Sequence, residues 1–184
     1  MALKTWKLFV PLLALGLVAL GAAQLFAAVT QSSTDVPKAI PDASSTTSTL
    51  SFTVAGTITD ANLTFNIAHA WDSDVVVSLT GPGAPIQLLV QNCGGSADNF
   101  TNTVIDEDAG AFPCAGTTGA PFTGSFQSPA AGTMNAFDTT ASNGIWTLTA
   151  ADDSAIITGT LNSWSLTLDG AAPLPVELMS FEID

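Results

Sequence analysis

The side chains of this chain best suited to chemistry are carboxylates, gathered in three clusters: Asp72/Asp74, Asp106/Glu107/Asp108 and Asp152/Asp153. Residues two apart in an extended strand point to the same face, so Asp72 with Asp74, and Asp106 with Asp108, would each converge on one ion. Such oxygen-only donors suit calcium, which takes roughly six to eight oxygens from carboxylates, carbonyls and water, often on loops. On this reading Asp106, Asp108 and Asp152 lead as Ca²⁺ ligands with Asp74 beside them, while Asp72, Glu107 and Asp153 line the adjoining binding surface. None of the clusters has the glycine and terminal glutamate spacing of an EF-hand.

Other reactive groups are few. His69 is the single histidine, and a general base needs a nucleophile and an orienting acid that nothing in the sequence supplies with it. It is expected to be packed and hydrogen-bonded in the domain body near Trp71. A carboxylate pair could serve a glycosidase, but that chemistry depends on a set separation across a cleft, and no large cleft-forming insertion is present. The chain therefore reads as non-enzymatic. Cys93 and Cys114 are an even pair in a chain that carries an export signal, so a disulfide is expected. Two thiolates without supporting histidines do not make a structural zinc site.

The elements that must position these groups read as β throughout. Leu50-Ser-Phe-Thr-Val54 and Leu63-Thr-Phe-Asn-Ile67 alternate apolar and polar residues, and Val75-Val-Val-Ser-Leu79 is a run of the buried type. Gly56, Asp60-Ala-Asn62, Gly81-Pro-Gly83, Gly94-Gly95 and Gly132 punctuate them at the short spacing of an antiparallel sandwich. Alternation implies one buried and one wet face per strand, hence two packed antiparallel sheets. Trp146 and Trp164 fit the packing between them, with their indole N–H groups bonded to backbone; an exposed tryptophan would instead offer a stacking platform for sugar.

At the N-terminus, Lys4 and Lys7 precede an apolar run from Leu8 to Phe26, with Gly21 and Ala23 as small residues for a signal peptidase. Cleavage near Ala23–Gln24 is expected, with Ala27 or Ala28 as the second choice and a retained signal anchor as the alternative. Residues 1–23 are thus read as signal peptide and 24–37 as a flexible, polar lead-in. Residues 38–170 form the sandwich, and 171–184 a Pro-rich hinge and strand-like tail. Loss of the leader leaves Lys38 as the only Lys or Arg against 16 acidic residues and moves the formal charge from −13 to −15. Nucleic acid is excluded as a partner because phosphate contacts need clustered basic residues, and an anionic membrane is excluded on the same ground.

Several motifs in fixed order then resemble the P domain (P/Homo B domain) that accompanies kexin-like, furin-like and bacterial secreted subtilisin-like proteases. They are Ile40-Pro-Asp42, the stretch Ile67-Ala-His69-Ala-Trp71-Asp-Ser-Asp74-Val-Val-Val-Ser-Leu79-Thr-Gly-Pro82-Gly83, the segment Thr103-Val-Ile-Asp106-Glu-Asp108-Ala109, and the strands of Trp146 and Trp164. Departures are Ser73, Val75 and Gly81, and Ile156-Ile157-Thr158 where family members often carry a further Asp. The resemblance implies an all-β jelly roll of the galactose-binding-like type that stabilises or associates with a secreted protease or another extracellular protein; the catalytic domain is missing from the sequence read here. It also implies calcium, which some bacterial members bind. The expected setting is secreted or cell-surface, with a subtilisin-like serine protease as partner. The competing expectation is a carbohydrate-binding jelly roll with a polysaccharide ligand. The tail resembles a Leu-Pro-Val-Glu-Leu-x-Ser-Phe segment found late in many exported bacterial proteins, either an added edge strand or a strand free to pair with another chain.

Overall fold

A computed structural model describes residues 26–173. Ten strands run in the order β1 (Phe26–Ser32), β2 (Lys38–Ile40), β3 (Ser45–Phe52), β4 (Asp60–Ala68), β5 (Val75–Thr80), β6 (Gln87–Val90), β7 (Phe100–Gly110), β8 (Gly124–Phe126), β9 (Gly144–Asp152) and β10 (Gly159–Pro173). One sheet has the order β1-β10-β4-β7-β8, with β2 also on β10; the other is β3-β9-β5-β6. All pairings are antiparallel except β7 with β8. This is the all-β sandwich the alternating sequence implies.

The alternation read in the sequence appears as alternating burial. β4 buries Ala61, Leu63, Phe65 and Ile67 and turns Asp60, Asn62, Thr64 and Asn66 outward. β9 does the same with Trp146, Leu148 and Ala150. Trp146 fills the inter-sheet space against Phe52 and Phe137, with ring centroids 6.3 and 4.8 Å away, and its indole N–H donates to the Ser142 carbonyl at 3.1 Å. Trp164 is buried too, but its N–H donates to the Ser48 hydroxyl at 2.7 Å, not to backbone as expected.

The expectation of a flexible lead-in across 24–37 is corrected over its described part. Residues of β1 pair along β10, from Val29 opposite Leu168 to Ser32 opposite Ser165. Asp35 then pins the following turn, accepting from Lys38 Nζ at 2.7 Å and Ser33 Oγ at 2.6 Å as well as from Ser48 Oγ. The segment lacks the apolar period that marks a strand because β10 supplies backbone partners and little apolar surface needs covering. Asp60-Ala-Asn62, read as a turn, likewise opens β4. The leader cleavage site at Ala23–Gln24 and the tail from residue 174 lie outside the described residues.

Candidate functional site

Loops at one end of the sandwich gather the first and third acidic clusters around His69. The ring of His69 is buried, with Nε2 3.2 Å from Asp152 Oδ2. At Nδ1 it meets the Trp71 carbonyl at 2.8 Å and the Trp71 N–H at 3.2 Å. Asp152 also accepts the Ser154 N–H at 3.0 Å on its other oxygen. The histidine is therefore a packed, bonded member of the fold, as its sequence context implies. Asp152 is committed to His69 and Ser154 at the end of β9, in the opposite sheet from Asp106 and Asp108. The expected Asp106/Asp108/Asp152 grouping is not assembled, because strand order and not sequence proximity decides which acids meet.

Asp72 and Asp74 do not share a strand face. They form a single 3-10 turn, Asp72–Asp74, with Asp72 buried and Asp74 half-buried. The loop after β6 imposes it: Asp72 N–H donates to the Ala97 carbonyl at 2.9 Å and Ser73 N–H to that of Gly95 at 3.1 Å. Disulfide Cys93–Cys114 ties the base of this loop, as the sequence led us to expect. Gly94 follows at φ +90°, where a Cβ would lie 2.7 Å from Asp72 Cβ; only glycine fits this approach. The Asp72 side chain is 0% exposed to solvent, and neither carboxylate oxygen has a hydrogen-bond partner. The Asn99 N–H on the adjoining loop donates to the His69 carbonyl at 3.0 Å. Burial pushes the Asp72 carboxyl up to about 7, Asp98 adding to the rise while the Asn99 amide and His69 oppose it.

Asp106 and Asp108 lie near one another on β7, with Asp106 Oδ1 accepting the Asp108 N–H at 2.9 Å. Their companions are residues the sequence reading did not single out. Register places Asp169 opposite Asp60, and Asp138 follows the short 3-10 turn Met134–Phe137. Burial raises the Asp60 carboxyl, with Asp169 and Asp106 adding to it; burial likewise raises Asp138, with Asp60 and Asp108 adding. Asn62 Oδ1 and Asp138 Oδ1 are buried without partners. Glu107 turns away, accepting the Met134 N–H at 3.1 Å. Among the described residues, no three carboxylate, imidazole or thiol groups come close enough to hold a metal ion by themselves.

Beside Asp74 runs a surface groove of about 330 Å³, lined by Trp71, Asp74, Ser154, Ala155, Ile156 and Ile157. Trp71 is 43% exposed and Ile156 is 91% exposed. Ile156 sits at φ +93°, unfavourable for a β-branched residue, and is held there by its N–H donating to Asp42 Oδ1 at 2.7 Å. Asp153, exposed on the same loop, gives its N–H to the Asp74 carbonyl at 2.9 Å. Among the described residues the exposed tryptophan is thus Trp71, whereas Trp146 and Trp164 belong to the core.

Comparison with known proteins agrees with this architecture. The proprotein convertase P-domain profile matches residues 58–168. Leupeptin-inactivating enzyme 1 of Streptomyces exfoliatus is 29% identical over 132 residues, spanning 70% of this chain but 24% of that protein. A serine protease of Aeromonas sobria, solved alone and with the chaperone ORF2, aligns with TM-scores of 0.50 and 0.52 at 16% and 15% identity; each alignment covers 79% of this chain and 27% of the protease chain. The chain thus spans about a quarter of the length of these relatives, and no catalytic protease domain is identified within its 184 residues. With the profile covering more than half of its length on a two-sheet β-sandwich, the chain belongs to the proprotein convertase P-domain family.

Proposed function

We propose that this chain is a secreted, non-catalytic recognition module that associates with an extracellular protein, a subtilisin-like serine protease being the favoured partner. The observation that carries the reading is the groove at Trp71 and Ile156. A β-branched residue held at positive φ costs about 1–2 kcal/mol of backbone strain, and its side chain, almost wholly exposed, gains no burial in the isolated domain. Trp71 beside it is the residue type that most often dominates protein interfaces. The groove is lined by Asp74, whose carbonyl accepts the N–H of exposed Asp153, and Lys38 is the only Lys or Arg among the described residues. The matching partner surface presents an apolar side chain flanked by Lys or Arg. The disulfide and the kinship with secreted bacterial proteases support an extracellular setting.

The same Trp71 favours the second reading, a polysaccharide ligand stacked on the indole. Aliphatic Ile156 and Ile157 across the groove fit a protein side chain better than a sugar ring. The readings separate when the oxidised chain is immobilised and exposed to concentrated culture medium of the exporting cells, with serine hydrolases tagged by a fluorophosphonate. Retention of a tagged protease that falls at least ~10-fold with Trp71→Ala and with Ile156→Ser supports the module. Equal retention by both variants, or retention of polysaccharide in place of any tagged protease, contradicts it.

A further inference from the structure

We propose that the outer face of the β3-β9-β5-β6 sheet is a self-association surface, on which a second copy of this chain docks with the same face. The proposal is independent of the groove reading, since that groove is built from Trp71, Asp74 and the loop after β9. Register lays two rows of hydroxyl side chains across this face, Thr47, Thr149 and Ser78 in one and Thr49, Thr147 and Thr80 in the next. Neighbours in a row stand about 4.5–5.5 Å apart. Leu88 extends the first row onto β6, and Val76 lies opposite Ala151 beyond it. At the other end Ile145 is 67% exposed, and Ile86, just before β6, is 63% exposed.

Charge selects the occupant. β3, β5 and β6 have no ionisable side chain, and the one on β9, Asp152, is buried at its end. The strands of the other sheet carry Asp60, Asp106 and Asp169. At the free edge of β3, Asp35 is paired with Lys38 at 2.7 Å. The chain has a formal charge of −13, so two copies repel wherever their carboxylates meet. Among the described residues, this sheet face lets them approach without burying an unpaired charge. It has nothing to attract a charged partner, whereas its own copy matches it with small side chains and exposed isoleucines. Two antiparallel sheets pack about 10 Å apart, and a two-fold axis makes such a contact self-complementary. Strand and residue spacings give the face about 20 by 24 Å. The pair then covers about 1,000 Å² in total, below the ~1,200–2,000 Å² of a stable complex, so the dimer is weak and concentration-dependent.

The test is sedimentation equilibrium of the purified, oxidised chain from about 10 µM to about 1 mM, with thermal unfolding to verify that each variant is folded. The parent should pass from monomer to dimer over this range. Association should tighten between about 0.15 and about 1 M NaCl, because salt screens the repulsion between copies and no ion pair holds them together. Ile145→Ser should weaken the dimer at least ~10-fold, since two-fold symmetry removes the side chain from both sides. Thr149→Glu and Thr149→Lys should both abolish it by burying like charges. The lysine variant lowers the net charge, so its failure to dimerise separates contact at this face from general repulsion. Thr64→Glu, on the outer face of β4, should dimerise like the parent. A parent that stays monomeric throughout overturns the proposal, and so does a dimer that weakens with salt. Dimers that survive in folded Thr149→Glu and Thr149→Lys, or are lost in Thr64→Glu instead, overturn it equally. A monomeric parent whose retention of the tagged protease falls with Thr149→Glu would assign the face to that partner and overturn self-association.

Discussion

Reduction of Cys93–Cys114 is the perturbation whose size follows most directly from the fold. The bridge joins residues 21 apart, with Cα atoms 4.4 Å from each other. Closing a loop of that length removes unfolded-state entropy equivalent to about 3 kcal/mol near 25 °C. Nothing inside the loop compensates for its loss: β7 keeps its pairing with β4, but residues 94–99 are held to the rest through a few backbone bonds, to Cys114, His69, Asp72 and Ser73. Against a total of about 5–15 kcal/mol for a domain of this kind, the loss is a sizeable share of stability. Urea unfolding of the same chain, oxidised and after reduction with both thiols kept reduced, isolates the effect without altering any side chain volume. The expected midpoint shift corresponds to about 3 kcal/mol at an m-value altered only by the freer unfolded chain. Hydrogen exchange should show the earliest loss of protection at Asp72, Ser73, Gly94, Ala97 and Asn99, the amides that tie the loop down. A difference below about 1 kcal/mol would refute the reasoning, because it would mean that the loop is already restrained when the chain is unfolded.

Three further outcomes are expected. Gly81→Ala places a methyl group with three Trp146 ring carbons within 2.7 Å, so denaturant unfolding should show a loss of about 1–3 kcal/mol through overpacking. Ile156→Gly releases the backbone at φ +93° and should raise stability by about 0.5–1 kcal/mol while abolishing partner retention, a trade of stability for recognition that unfolding and binding assays read separately. At Asp35, burial works upward, but hydrogen bonds from Lys38, Ser33, Ser48 and Thr49 outweigh it and hold the carboxyl well below its ordinary value of 3.8. The folded value being the lower one, this stabilisation is complete above the unfolded value and is lost as pH falls through the folded one. Asp35→Asn should therefore flatten the fall in stability below about pH 4.

What the sequence disclosed followed from local pattern. Alternation in residues 63–67 and the apolar run 75–79 marked β4 and β5 because each strand's burial is written in its own residues. The disulfide was legible from cysteine count, and the packed role of His69 from the absence of a catalytic context. What escaped the reading depends on partners distant in sequence. β1 is polar and becomes a strand only because β10 offers its edge. Asp169 comes opposite Asp60 through strand register, and the influence of Asp106 and Asp108 on Asp60 and Asp138 depends on placement in the fold that no local signal encodes. Asp72 was grouped with Asp74 by strand periodicity, whereas backbone bonds from a loop more than twenty residues away turn it inward. The spacing of Ile156 held no hint of its exposure, since the strained turn depends on Asp42, 114 residues earlier.

The most direct test of the recognition role is site-specific photocrosslinking. A benzoylphenylalanine is placed at Trp71, at Ile156 or, as a control, at Thr64 on the outer face of β4, and the exported chain is irradiated in the medium of its own cells. Crosslinks from positions 71 and 156, but not 64, to one secreted serine protease of the subtilisin type are the expected result. Crosslinks shared equally by all three positions, or confined to polysaccharide, would contradict a protease-directed groove.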